Sequence, residues 1–212
     1  MFEYSFVDWD NTIYDTMAFE ADIFAIFAQH NVSAEDVRAT FKKSLCTFSP
    51  YKYDYSFTEH IQFLRDLGYA IPDSTELELN TLFLKDYLFT DTVLFLNFLK
   101  TVSSRVILLS AGDINFQMSK IKNSSIVSYF DDIKIVEGEK EKQVIKYGEQ
   151  NKIFFVNDNL RENLTVKTAA PFVTVITRLN AARYSEDDAK KINVPYFSTL
   201  TQIKQYVEQQ CK

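Results

Sequence analysis

The sequence predicts an α/β protein, a doubly wound parallel sheet that carries an inserted block of helices. Three observations lead there. From Arg105 onward, short apolar runs alternate with stretches of helical period. One further apolar run, Tyr4 to Val7, stands alone near the start of the chain. Between them, roughly 75 residues show helical periodicity only. Strands that alternate with helices pair in parallel, and a parallel sheet is covered on both faces. The expected division is a Rossmann-like core from residues 1–14 and 91–212, with a helical insertion over 15–90.

Each element has its own signal. Tyr4 to Val7 is a short buried strand bounded by acids. After Tyr14 the period lengthens, and Phe19, Ile23, Ile26, Phe27 and His30 fall on one helical face. Ser33 with Asp36, and Ser56 with Glu59, have the spacing of capping boxes that open helices. Gly68 ends the second of these. Asp73 with Glu76 opens a helix expected to run through Leu77, Phe83, Tyr87 and Leu88, and Thr92 to Lys100 forms a short one. Val106 to Leu109 is then a buried strand ending at Ser110, and Ile114 to Lys122 a helix. Ile133 to Val136 is a strand, Lys142 to Gln150 a helix, and Ile153 to Val156 a strand ending at Asn157-Asp158. Leu160 to Ala169 is helical, Phe172 to Thr177 extended, and Leu200 to Gln210 helical.

Composition narrows the function classes. A chain of 212 residues with 46% hydrophobic and 25% charged residues has the make-up of an ordinary soluble globule. Its net charge of -6 argues against general nucleic-acid binding. Only four glycines are present, too few for a Gly-rich phosphate cradle. Cys46 and Cys211 are isolated, which points to a reduced, cytoplasmic setting. No apolar run reaches the roughly 18 residues of a spanning helix, and the acidic start lacks a signal-peptide pattern.

The chemistry-bearing residues cluster at strand ends. Asp8 and Asp10 follow the first strand, with Thr12 two residues on. Clustered carboxylates repel unless a cation or a proton joins them. One carboxylate can attack while its neighbour moves a proton. In parallel sheets, ligands bind beyond the carboxyl ends of the strands. Asp8, Ser110 and Asp158 each stand at such an end, so one crevice can collect all three. Taken singly, Thr12 also reads as a turn residue, and Ser110 and Asp158 as helix caps.

Asp8-Trp9-Asp10-Asn11-Thr12, the strand ending at Ser110-Ala111-Gly112, a lysine before a helix, and Phe155-Val156-Asn157-Asp158 occur in an order that resembles the haloacid dehalogenase superfamily, helical-cap phosphatase type. Gln117, Lys120 and Tyr129-Phe130-Asp131 follow the same pattern. Asn157 stands where the family has an acid, Asn11 where it has Gly, and no Pro follows the lysine. The resemblance implies a catalytic core with a cap domain over 15–90. It implies a Mg2+-dependent phosphatase that hydrolyses a small soluble phosphomonoester, of nucleoside or sugar monophosphate kind, through an aspartyl phosphate. Asp8 would be the nucleophile and Asp10 the acid and base. Asp8, Asp158 and a backbone carbonyl near Asp10 would hold Mg2+. Thr12, Ser110, Ala111 and either Lys140 or Lys142 would bind phosphate, with Lys140 favoured on reach. Asn163 would brace the loop. Within the insertion, Tyr51, Lys52 and Tyr53 are the expected specificity contacts, unless those tyrosines only pack between helices. The expected partner is a small phosphorylated substrate, with no nucleic acid and no membrane, for a monomer or homodimer. A phosphomutase and a catalytically idle binding domain are the alternatives. A dehalogenase ranks below them, because the family's dehalogenases lack an acid at the place of Asp10.

Overall fold

The computed structural model describes residues 1–45 and 55–210. Its sheet begins with β1 (Phe2–Val7), which pairs in parallel with β2 (Ser103–Ala111) on one side and β4 (Ile153–Asn157) on the other. Beyond β2 lies β3 (Asp132–Val136), and beyond β4 lie β5 (Val173–Arg178) and β6 (Tyr196–Phe197). The order is β3-β2-β1-β4-β5-β6, with every pair parallel. Chain order reverses between β1 and β4, so the loops leaving those two strands diverge and open a crevice. This is the doubly wound α/β fold the alternation predicts.

Successive residues of each central strand feed opposite faces. Phe6, Ile107, Leu109, Phe155 and Val175 pack on Val144 of α7 (Lys140–Ile145) and Val166 of α8 (Leu160–Ala169). Val7, Leu108, Phe154, Val156 and Ile176 pack on the other side. Their partners there are Phe95, Leu96 and Leu99 of α5 (Thr92–Val102) and Leu200 and Ile203 of α10 (Leu200–Gln210).

The helices between β1 and α5 are α1 (Thr16–Gln29), α2 (Ala34–Leu45), α3 (Phe57–Asp66) and α4 (Ser74–Thr81). The Asp36 and Glu59 amides donate to Ser33 Oγ at 3.0 Å and to Ser56 Oγ at 3.1 Å, so both expected N-termini are in place. The apolar side of these helices continues the core: Phe19, Ile23 and Phe27 share one buried cluster with Val7 and Leu108. Phe19 is its hinge of rings, stacked on Phe83 and edge-on to Tyr87 and to Phe116 of α6 (Ile114–Lys122).

Three expectations are corrected. The helix from Asp73 does not reach Leu88. It stops at Thr81, makes one 3-10 turn over Leu82–Leu84, and turns extended at Lys85. Tertiary pairing wins there, because Leu88 bridges Tyr14 and Tyr87 accepts the Asp15 amide at 2.7 Å. The helix expected over 142–150 instead spans Lys140–Ile145, and Gly148 lies at φ +77 soon after it. A helix α9 (Glu186–Lys191) and the two-residue β6 have no counterpart in the sequence reading. Only Ala189 is buried in α9, so no apolar period marks it; its signal is the Ser185–Asp188 capping box. Among the described residues, no helix is long and apolar enough to cross a membrane.

A buried polar chain ties α2 to α3. His60 is fully buried, with Nε2 2.8 Å from Thr40 Oγ1 and Nδ1 2.8 Å from Tyr55 Oη. Thr40 Oγ1 spends its one proton on the Asp36 carbonyl at 2.6 Å, so it accepts from a neutral Nε2–H imidazole. Burial, opposed only by a backbone hydrogen bond at Val37, lowers the His60 pKa to about 4. Below an unfolded-state pKa of 6.5 the unfolded chain binds the extra proton and the fold does not. The His60 contribution to stability is therefore full above pH 6.5 and falls by about 3 kcal/mol as pH drops toward 4. Denaturant titrations at pH 7.5 and 5 test this. The pH 7.5-minus-5 loss should shrink in His60→Gln, and an equal loss in both proteins would rule the assignment out.

Candidate active site

Asp8 follows β1 directly, and its amide donates to the Val156 carbonyl at 3.0 Å, which locks the loop to β4. The chain then turns tightly. The Thr12, Ile13 and Tyr14 amides all donate to the Trp9 carbonyl, and Trp9 is fully buried with its ring stacked on Tyr14. Asn11 takes φ +55, which Asn tolerates better than most residues. Arg178 Nη1 donates to the Asn11 carbonyl at 2.7 Å while its guanidinium lies 3.6 Å from the Phe89 ring centre.

This turn brings the expected residues together. Lys140 Nζ donates to Asp8 Oδ1 at 2.6 Å, and Thr12 Oγ1 donates to Asp8 Oδ2 at 2.7 Å. Thr12 Oγ1 also accepts the Asp158 amide at 3.0 Å, so one hydroxyl joins the loops after β1 and β4. Asp8, Thr12, Lys140 and Asp158 are all buried. Burial is the largest influence on Asp8 and raises its pKa; Lys140 opposes, while Glu162 and Asp10 add to the rise. Burial also pushes Asp158 to about 7, against the Arg183 charge and with help from Asp8. Lys140 is held protonated: burial works against its charge, but Asp8 and Glu162 more than offset that.

Asp10 is wired separately. Lys120 Nζ reaches Asp10 Oδ1 at 2.5 Å, Thr16 Oγ1 donates to the same oxygen at 2.7 Å, and Gln117 Nε2 donates to Oδ2 at 2.6 Å. Burial raises the Asp10 pKa, but the Lys120 charge and these hydrogen bonds outweigh it and hold it below the usual carboxylate value. Two carboxylates two residues apart thus sit in opposite electrostatic settings.

The remaining expectations divide. Ala111 lines the cleft and its carbonyl accepts from Gln117 at 3.0 Å. Ser110 is fully buried near the end of β2, and among the described residues its Oγ has no hydrogen-bond partner and it is not part of the cleft wall. Asn163 does brace the loop, donating to the Asn157 carbonyl at 3.0 Å and to Thr177 Oγ1 at 2.8 Å. Lys142 is corrected: its side chain is 64% exposed and pairs with Glu139 at 2.7 Å, on the side of the helix opposite the face that carries Lys140 inward. Tyr51, Lys52, Tyr53 and Cys46 lie outside the described residues. Tyr55, from the end of the same aromatic stretch, does line the cleft.

Sequence reasoning missed Glu162 and Arg183. Glu162, in the first turn of α8, lies 2.8 Å from Lys140 Nζ and accepts from Asn157 Nδ2 at 2.9 Å, so a carboxylate sits beside Asn157. Arg183 Nη1 pairs with Asp158 Oδ2 at 2.6 Å. Nothing near Arg183 in sequence marks it, whereas Glu162 carries the signal of an acid at a helix N-terminus.

The donors also bear on a metal. Asp8 and Asp158 carry two buried carboxylates on loops that Thr12 joins, and each is pushed by burial toward protonation. Hard oxygen donors of this kind fit Mg2+, which takes one or two carboxylates and keeps several waters. Among the described residues, no three His, Cys, Asp or Glu side chains gather as a metal cluster.

A parallel six-stranded sheet with acids at its switch point and helices inserted after β1 defines a class of α/β scaffold. Solved structures specify it: the chain has the haloacid dehalogenase-like fold. A haloacid dehalogenase-like protein from Burkholderia xenovorans matches with TM-score 0.69 and 17% identity, over 97% of this chain and 96% of that one. L-2-haloacid dehalogenase from Xanthobacter autotrophicus, solved with chloropropionic acid covalently bound, matches with TM-score 0.60 and 14% identity, over 98% and 99%. The Bacillus subtilis HAD-hydrolase YfnB, solved with magnesium bound, matches with TM-score 0.60 and 16% identity, over 83% and 88%. No protein-family model and no curated protein matches the sequence.

Proposed function

We propose that the chain is a haloacid dehalogenase superfamily hydrolase that removes phosphate from a small monoester. The observation that carries this is the separate wiring of Asp8 and Asp10. Asp8, held between Lys140 and Thr12, is the nucleophile. Its carboxylate attacks phosphorus, and the ester oxygen leaves with a proton from Asp10. Water then attacks the aspartyl phosphate, Asp10 takes its proton, and phosphate departs with Asp8 restored. At rest Asp10 is a base paired with Lys120, so the first step needs it protonated. The arrival of a dianionic ester favours that, since nearby negative charge raises a carboxyl pKa. Lys140 and Thr12 donate to the transferring oxygens, where charge spreads in the transition state. Mg2+ held by Asp8 and Asp158 would offset the repulsion between dianion and carboxylate.

A second reading is supported by the dehalogenases among the structural neighbours. There Asp8 attacks carbon and a halide leaves, which requires no proton from Asp10. Release of p-nitrophenol from p-nitrophenyl phosphate, and of chloride from 2-chloropropionate, separates the two. We expect the first to proceed and to stop on EDTA addition, with no chloride released. Chloride release without phosphatase activity would replace the first reading by the second.

A further inference from the structure

Above the carboxylates the cleft extends into the helical insertion and encloses about 360 Å³. Its far wall is apolar, made by Phe19, Ile23, Phe41, Leu45, Tyr55 and Phe116. The rings are fixed by one another: Tyr55 is edge-on to Phe116 at 5.1 Å and 4.8 Å from Phe41, and its hydroxyl is tied to His60. One acid, Glu20 of α1, shares that space.

Glu20 stands out by elimination. Among the described residues, six carboxylates line the cleft against three cations. Asp10 is paired with Lys120, Asp8 and Glu162 with Lys140, and Asp158 with Arg183. Asp113 is occupied as the N-cap of α6, accepting the Phe116 amide at 2.7 Å. Among the described residues, no hydrogen bond or ion pair reaches Glu20. A carboxylate facing a partly desolvated aromatic wall is costly unless a cation joins it. Aromatic faces attract the same kind of partner.

We propose that Glu20 and the ring-lined wall form the leaving-group subsite, and that it takes a protonated amine on a short apolar stem. The substrate class is then a phosphomonoester of an amino alcohol. This rests on the phosphatase reading above and deepens it. The stem packs on the rings, and the ammonium donates to Glu20 while the phosphate lies at Asp8. Charge is balanced better this way than with a neutral alcohol, since a bound Mg2+ would offset the phosphate dianion and leave the acidic cleft unchanged. The resting state of Glu20 agrees: partial burial, and then the charge of Asp10, raise its pKa to about 7 against the charges of Lys120 and Arg183.

The test compares 3-aminopropyl phosphate with butyl phosphate, which differ by ammonium against methyl. The matching phosphonates, which cannot be hydrolysed, give binding by calorimetry. The wild-type protein should favour the amine-bearing ester in kcat/KM, and its phosphonate in Kd, by about tenfold to a hundredfold, the worth of a charge-assisted hydrogen bond. Glu20→Gln should bring both ratios near unity. Amine-selective, Glu20-dependent phosphonate binding without turnover of either ester would keep the subsite and end the phosphatase reading. Turnover of both esters with no preference would keep the phosphatase and end the subsite. Ratios unchanged in Glu20→Gln, or no binding of either phosphonate, would also overturn the subsite.

Discussion

Asp8→Asn is expected to abolish turnover, by roughly 10⁴-fold or more for loss of a nucleophile, while the protein stays folded. The side chain that replaces Asp8 has nearly its shape, so the Thr12 hydroxyl keeps an acceptor of the kind it has at 2.7 Å. What disappears is a buried charge that its surroundings already disfavour, since burial raises the Asp8 pKa. Lys140 is not orphaned, because Glu162 remains 2.8 Å away. The midpoint of thermal unfolding should therefore hold steady or rise as kcat collapses. Substantial phosphatase activity in a homogeneous Asp8→Asn preparation would exclude covalent catalysis by this residue.

Lys140→Ala should combine the next largest loss of activity with a loss of stability. Lys140 is buried, and its ammonium is shared by Asp8 at 2.6 Å and Glu162 at 2.8 Å. Removing it leaves the buried Asp8 carboxylate facing the half-buried Glu162, and breaking a buried pair in this way costs about 3–5 kcal/mol. Activity should fall by about 10²–10³-fold, the usual effect of removing one donor to a developing charge. Lys142→Ala is the internal control. Its side chain is largely exposed on the same helix, so stability should change by less than about 0.5 kcal/mol and kcat/KM should stay near wild type. Paired urea titrations and p-nitrophenyl phosphate assays measure both. Equal, mild effects from the two substitutions would show that neither lysine meets the phosphate.

The two lysines show what the sequence could and could not reveal. Strand ends are legible, because apolar runs mark where strands stop and topology then brings the stops together. Asp8, Thr12 and Asp158 were found that way. The choice between Lys140 and Lys142 depended on where α7 begins, and helix boundaries are the weakest part of a pattern reading. Gln117 and Lys120 were visible only as part of a family-like run. Their role, holding Asp10, needs the approach of α6 to the first loop. Glu20, Glu162 and Arg183 look like ordinary solvated charges in sequence. Their meaning comes from side-chain burial that no local period encodes. The overlong helix through Leu88 fails for the same reason, since a bridge to Tyr14 outweighs local helical preference.

The sheet order also governs how the chain reaches this state. β1 is made first, yet both of its neighbours come late: Ser5 bonds to a serine 98 residues away, and Thr12 meets the Asp158 amide across 146. Such non-local pairing slows folding, because loop closure is paid for before contacts reward it. During synthesis, Phe6 and Val7 must wait with both strand edges open until β2 and β4 emerge. Unpaired apolar edges of that kind are the species that aggregate. The loop from Asp8 to Thr12 is anchored by the Val156 carbonyl and the Asp158 amide, so it takes shape only when β4 docks. Recovery of catalytic competence on refolding should then lag behind recovery of helical signal, and the lag measures the closing of the sheet.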